Sequence, residues 1–256
     1  MSYIDAKNLI KQYGVGEAKV TAVNDVSLEI DTGEFVAIMG ESGSGKSTLL
    51  SMLGGLNSPT SGKFLVDGVD VYALNSDGRA DFRKKSIGFV FQNFHLLPYL
   101  TLAENVMLPL AIVNRSKKEK LSTAVEALER VGLSGKAGRL PSQVSGGEQE
   151  RVAIARAIVN RPPIILADEP TGNLDTRTGA GVMNLLAKLN QKGVTVIMVT
   201  HSHDYAHYAG RLIRLSDGRL LDKGGAIQEE VKAASSRFWA IFPKNLTQLL
   251  RPAYNL

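Results

Sequence analysis

The stretch GESGSGKST, Gly40 to Thr48, decides the fold of this 256-residue chain. It fits the pattern G-x-x-x-x-G-K-[ST], follows the apolar run FVAIM (Phe35–Met39) and precedes the apolar LLSMLGG. A strand, a glycine-rich turn and a helix in that order wrap backbone N–H groups around phosphate at the positive end of the helix. A glycine-rich turn with an incidental lysine would not need these flanks. We therefore predict a nucleotide site in which Lys46 reaches the β- and γ-phosphates and the Ser47 hydroxyl binds Mg²⁺. The predicted loop comprises Gly40, Glu41, Ser42, Gly43, Ser44, Gly45, Lys46, Ser47 and Thr48.

Short apolar runs rich in β-branched residues recur along the chain, as in IILA (Ile164–Ala167) and VTVIMVT (Val194–Thr200). Runs that are apolar on both faces suit buried strands of a parallel sheet, and helical patterns lie between some of them. KVTAVNDVSLEI (Lys19–Ile30) and GKFLVDGVDV (Gly62–Val71) look instead like antiparallel strands with tight turns. We predict an α/β P-loop NTPase fold with a parallel-rich sheet, an antiparallel β subdomain and a helical subdomain at about 93–162.

The composition is that of an ordinary globular protein and excludes several classes of site. There is no cysteine, so disulfides, thiolate metal sites and cysteine catalysis are excluded, and a reducing compartment fits. Apolar runs reach five or six residues, far short of the roughly 20 that span a bilayer, and the N-terminus lacks a signal-peptide pattern. The net charge of +5 is diffuse apart from NRSKKEK (Asn114–Lys120), so no nucleic-acid partner is expected.

Two carboxylates end the apolar run IILADE (Ile164–Glu169). A buried strand that delivers an aspartate at its carboxyl end is a common way to hold Mg²⁺ beside a phosphate loop. We expect Asp168 to bind the metal and Glu169 to polarise a water that attacks the γ-phosphate. The alternative is a helix N-cap at Asp168, which the phosphate loop makes less attractive.

Polar residues also close two other apolar strands. Gln92 ends IGFVFQ and His201 ends VTVIMVTH, and both would face the crevice at the carboxyl edge of the sheet. A glutamine there could contact Mg²⁺ or the attacking water, and a histidine could bond the γ-phosphate. Taken singly, each also fits an ordinary polar residue at a strand end, which is the alternative. The remaining histidines, His95, His203 and His207, are interpreted as structural.

A second glycine turn, VSGGE (Val144–Glu148), opens another predicted helix. The first N–H groups of a helix lack partners and suit an anion, yet this turn carries no lysine. A simple helix cap is the alternative to an anion site.

The order and spacing of these motifs resemble those of an ABC-type ATPase, over about residues 2–228. The matching elements are the phosphate loop, Gln92, VSGGE, IILADE, GNLD and His201, and Ser145 precedes Asp168 by the spacing that such proteins require. The resemblance implies ATP and Mg²⁺ as cofactors. It also implies that two copies close head to tail, so that the turn of one caps the γ-phosphate held by the other. This chain departs from the commonest pattern in carrying Val144 for leucine and Glu148 for glutamine.

Several site assignments follow only from that resemblance. Tyr13 would stack on adenine, and Ser145, Gly146 and Gly147 would reach the partner's nucleotide. Asp175 would tie the two sites together.

Further segments, such as FHLLP (Phe94–Pro98) and TLAENV (Thr101–Val106), resemble the subgroup of macrolide export and lipoprotein release, and the cell-division ATPase is similar too. The subgroup implies a peripheral subunit at the cytoplasmic face of the inner membrane, docked through its helical subdomain on a separate permease. A non-transport ATPase that works with a membrane partner in cell division or mechanotransmission is the alternative.

The last residues, 229–256, are predicted to form an extension to the ATPase domain of residues 1–228. Ser235–Leu256 combines clustered aromatics, helically spaced leucines and flanking cations. This pattern suits an amphipathic segment at a membrane or permease, and packing on the ATPase core is the alternative.

Overall fold

A computed structural model describes residues 2–221. The predicted boundary at residue 228 and the predicted extension lie outside these described residues.

Ten strands and seven α-helices make up the described chain. The strands are β1 Ile4–Tyr13, β2 Val20–Ile30, β3 Phe35–Met39, β4 Ser61–Val66, β5 Val69–Asp70, β6 Ile87–Val90, β7 Ile164–Asp168, β8 Thr195–Thr200, β9 Arg211–Ser216 and β10 Arg219–Leu220. The helices are α1 Lys46–Leu53, α2 Ser76–Ser86, α3 Leu102–Met107, α4 Lys117–Arg130, α5 Gly146–Ile158, α6 Thr176–Gln191 and α7 His203–Ala206.

The strands form two sheets, as the sequence predicts. The larger sheet has the order β10-β9-β3-β8-β7-β6, and every pair in it is parallel except β10 with β9. The smaller sheet is antiparallel with the order β2-β1-β4-β5. Its β4–β5 turn has Asp67 and Gly68 at φ 50° and 75°, the left-handed pair that a two-residue hairpin requires.

Each face of the large sheet belongs to a different core. Val36 and Ile38 of β3 pack with α1 and the small sheet, whereas Ala37 and Met39 pack with α3, α4, α5 and α6. The fully buried β3 and β8 confirm the prediction made from their apolar runs. β9 differs, because only Leu215 of its six residues is fully buried and its two arginines, Arg211 and Arg214, are partly exposed.

The helices α3, α4 and α5 all lie between β6 and β7 in the chain. Capping boxes begin all three, with Thr101, Ser116 and Ser145 each bonded to a glutamate three residues later. The buried side chain of Asn105 organises the preceding loop. Its amide donates to the carbonyls of Leu97, Leu100 and Thr101, and its oxygen accepts from Leu97 N.

Candidate nucleotide and catalytic site

Two backbone segments, in β2 and β9, pack closely against glycines of the phosphate loop. A Cβ on Gly40 would lie 2.1 Å from the carbonyl oxygen of Leu215, and one on Gly45 would lie 2.1 Å from that of Ala22. Gly45 also has φ 96° and caps α1 in the left-handed region. Only glycine fits both positions, so β2 and β9 determine the path of the loop.

Polar groups inside the loop lack the partners that an anion would supply. Lys46 is only 6% exposed, and its ammonium donates to the carbonyls of Gly40 and Glu41 at 2.8 and 2.7 Å, with no carboxylate paired to it among residues 2–221. The buried Ser44 Oγ has no hydrogen-bond partner within the described chain. A buried cation and an unpaired hydroxyl at a helix N-terminus fit nucleotide phosphates.

Ser47 and Asp168 supply hard oxygen ligands of the kind that Mg²⁺ prefers. The Ser47 hydroxyl donates to Asp168 Oδ1 at 3.0 Å, which joins the start of α1 to the end of β7. Burial raises the pKa of Asp168, the Ser47 bond opposes it, and the neighbouring Glu169 charge raises it further. A bound cation would relieve that cost. One carboxylate and one hydroxyl suit Mg²⁺ that is completed by phosphate oxygens and water.

Glu169 lies in a strained backbone conformation beside His201. Its φ is 45°, rare for a residue other than glycine, and its N–H is bonded to Val199 O at 3.0 Å. His201 Nδ1 lies 2.8 Å from Glu169 Oε2. The glutamate is therefore held both by its backbone and by its carboxylate.

Gln92 joins this group around Gly172. A Cβ on Gly172 would lie 3.4 Å from Gln92 Nε2 and 3.5 Å from Glu169 Oε2, so both side chains end beside that glycine. The backbone of Gln92 is held by Asn173, whose amide donates to its carbonyl at 3.0 Å. The structure thus brings together at one sheet edge the side chains that the sequence placed at the ends of β6, β7 and β8.

Tyr13 stands at the end of β1 with 43% of its surface exposed. Its hydroxyl accepts a bond from the Asn57 amide, and the Lys11 ammonium lies 5.1 Å from the ring centre. An exposed, anchored ring could stack on a base, which stays a prediction.

The second glycine turn contacts α6. Ser145 is the N-cap of α5, and a Cβ on Gly147 would lie 2.0 Å from Thr178 Cγ2. Asp175 caps α6 by accepting from Thr178 N at 3.0 Å. Gly146 is exposed, with Leu174 Cδ2 at 4.0 Å as the nearest atom to a Cβ.

Sequence reasoning missed two residues that hold this region together. One is Asn173, which holds the Gln92 carbonyl. The other is Arg156 of α5, which donates to the carbonyls of Phe94 and His95, both at positive φ just beyond Gln92. The interpretation of His95 as structural agrees with its edge contact on Phe91. No periodic signal marks such bonds from a side chain to a distant backbone.

A family model described as ABC transporter matches residues 23–172. The chain belongs to the ABC transporter family. This ABC ATPase is 49% identical over 219 residues to the uncharacterized ABC transporter ATP-binding protein MJ1508 of Methanocaldococcus jannaschii, covering 86% of this chain and 98% of that one. It is 46% identical to the macrolide export ATP-binding/permease protein MacB of Mannheimia succiniciproducens, over 87% of this chain and 34% of that one. The chain thus spans about a third of this MacB relative.

A solved structure agrees with the fold. The ATP-binding cassette MJ0796, in a dimeric post-hydrolysis state bound to ADP and Pi, superposes with a TM-score of 0.79 at 46% identity, covering 86% of this chain and 97% of that one. The predicted fold class, the resemblance to ABC-type ATPases and macrolide exporters, and the ATP and Mg²⁺ cofactors are confirmed. The chain is a Mg²⁺-dependent ABC ATPase.

Proposed function

We propose that this ABC ATPase is the energy-supplying subunit of a membrane transporter, in which two copies close head to tail on ATP and drive a separate permease. The observation that carries the proposal is the exposed turn at Ser145 and Gly146. It has the form of an anion site, yet Ser145 N and Oγ are bonded to Glu148 in the described chain, and no bond joins the turn to Gly40–Thr48. A second copy would bring a phosphate to it.

The side chains of each copy divide the work of hydrolysis. Lys46 binds the terminal phosphates, and Ser47, Gln92 and Asp168 would hold Mg²⁺, which lowers the phosphate charge when bound. Glu169 orients the attacking water and accepts its proton. His201 keeps that carboxylate in place.

Dimer closure can be tested with the variant Glu169→Gln, which removes the base and keeps the phosphate contacts. We expect ATP to convert this variant to a dimer on size exclusion. Adding Gly146→Asp should prevent the dimer without weakening ATP binding by the monomer, because a carboxylate then faces the incoming phosphate. Gly181→Asp is the matched control, since that exposed helical glycine also has open space around its Cβ. Equal dimer formation by both aspartate variants would refute the head-to-tail arrangement.

Support for a permease partner comes from a groove that is lined by α2, β6, the segment 109–112 and α5. It measures about 370 Å³, and Phe89 and Phe91 line it together with the basic side chains of Arg83, Lys84 and Arg156. Phe91 directly precedes Gln92, so a partner in the groove would touch the segment that ends at the nucleotide site. No helix in residues 2–221 is long and apolar enough to cross a bilayer.

The absence of cysteine makes this docking directly testable. Ile112 lines the groove and is 68% exposed, so Ile112→Cys would be the sole thiol and should crosslink to an integral membrane protein in native membranes. Val69→Cys, at a position 50% exposed on the small sheet, is the control and should give no such adduct. Adducts from residue 69 and none from residue 112 would place the partner elsewhere.

A further inference from the structure

A carboxylate stands inside the turn that is proposed to receive a phosphate. Glu148 lies in the first turn of α5, and its Oε2 accepts from Ser145 N at 3.0 Å and from Ser145 Oγ at 3.3 Å. An uncompensated negative charge here would repel a phosphate and would compete with it for the Ser145 hydroxyl proton.

Lys136 compensates this charge. Its ammonium forms an ion pair with Glu148 Oε1, the oxygen that does not contact Ser145. The two side chains are only 30% and 17% exposed, so water screens the pair less than a surface pair. This contact is the largest cause that lowers the pKa of Glu148 to about 2.

The backbone places Lys136 firmly. It follows Gly135, whose φ of 73° turns the chain, and its N–H bonds to Leu133 O at 3.2 Å. The next residue, Ala137, accepts from Ala103 N of α3 at 3.0 Å. The lysine thus reaches α5 from a segment that is tied to another helix.

We propose that Lys136 is a positioning residue for the phosphate-capping turn: by pairing with Glu148, it offsets the negative charge that would otherwise repel the γ-phosphate of a second copy from Ser145 and the first N–H groups of α5. The inference rests on the head-to-tail dimer of the proposed function. It also accounts for a carboxylate at a position where the commonest pattern of the family has an uncharged glutamine.

The experiment measures the ATP concentration that gives half-maximal dimer, with Glu169→Gln as the parent of every variant. Lys136→Gln should raise this concentration on the order of tenfold, the effect expected of one charge at a partly buried helix N-terminus. Adding Glu148→Gln should return it to within about twofold of the parent, since the amide still accepts from Ser145 N without a charge. Lys136→Arg should resemble the parent.

Further readouts separate this role from a merely structural one. ATP binding by monomeric Lys136→Gln should be unchanged. Its dimer defect should become smaller as the salt concentration rises from about 0.05 M to about 0.5 M, because salt screens the charge of Glu148 over this range. Arg130→Gln is the matched control, because it breaks the exposed ion pair with Glu126 on α4 and should shift nothing.

Each outcome decides a different point. A parent that stays monomeric with ATP overturns the proposed dimer and this inference with it. A parent that dimerises while Lys136→Gln behaves identically overturns the inference alone. A defect that Glu148→Gln fails to relieve shows that Lys136 supports the fold and not the charge balance.

Discussion

The buried glutamate Glu150 predicts an unusual dependence of stability on pH. Glu150 lies on α5 with 1% of its surface exposed, and its Oε1 has no hydrogen-bond partner in the described chain. Burial raises its pKa to about 8 from an ordinary value of 4.5, although the charge of Arg156 opposes the change. The Arg156 guanidinium itself donates to the carbonyls of Phe94 and His95.

The size of the effect follows from proton linkage. Between pH 4.5 and about 8, the unfolded chain loses the Glu150 proton while the folded chain keeps it. The free energy of unfolding therefore falls as pH rises, by about 1.4 kcal/mol per pH unit. At pH 7 the loss relative to acid conditions is roughly 3 kcal/mol. Glu150→Gln is uncharged in both states and should lack this fall.

Urea denaturation followed by circular dichroism measures the difference. The stability of Glu150→Gln minus that of the wild type should increase by roughly 2–3 kcal/mol from pH 5.5 to 7.5. Subtracting the two curves cancels the other titrating groups, including His207, whose pKa burial lowers. Glu129→Gln, at an exposed position on α4, should follow the wild type. Parallel curves for Glu150→Gln and the wild type would refute the reasoning.

Three further predictions concern single positions. Lys46→Ala should weaken ATP binding by the monomer at least about tenfold, measured with a fluorescent nucleotide, because a buried charged partner of phosphate is lost; unchanged affinity would contradict the phosphate-loop assignment. Asn105→Ala should lower the free energy of unfolding by about 3 kcal/mol in thermal or urea unfolding, since four bonds to the loop 97–101 are lost. Gly147→Ala should lower the free energy of unfolding by about 1–3 kcal/mol, because the added methyl group clashes with Thr178. Thr178→Ser in the same chain should restore most of the lost stability, and no recovery would point to another contact.

Much of the site could be predicted because strand ends in a parallel sheet meet at one edge. Asp168 ends β7 and Glu169 follows it, and His201 follows β8, the sheet neighbour of β7, in which Val199 is paired with Asp168. Adjacent registers therefore bring these residues together without any knowledge of side-chain contacts. The positions of β3 and β8 could be predicted from their apolar runs, because both faces of each strand are buried.

Other features depend on tertiary contacts that leave no periodic signal. The ion pair of Lys136 and Glu148 joins a turn to the first turn of α5. Glu169 has a positive φ and its N–H donates to Val199 of β8. Glu150 is different, because Gly147, Glu150 and Ile154 share one buried stripe of α5. Helical spacing alone could have identified it as a buried carboxylate.

The position of β3 in the middle of the large sheet has a consequence for synthesis on the ribosome. Its hydrogen-bonded neighbours are β8 and β9, which begin at Thr195 and Arg211, more than 150 residues after β3 emerges. Until those strands leave the exit tunnel, the apolar segment before the phosphate loop has no sheet partner on either side. A nascent chain stalled short of residue 195 should therefore present Phe35–Met39 to chaperones and should bind no nucleotide. A chain stalled with residue 216 well outside the tunnel should bind nucleotide and should no longer present this segment.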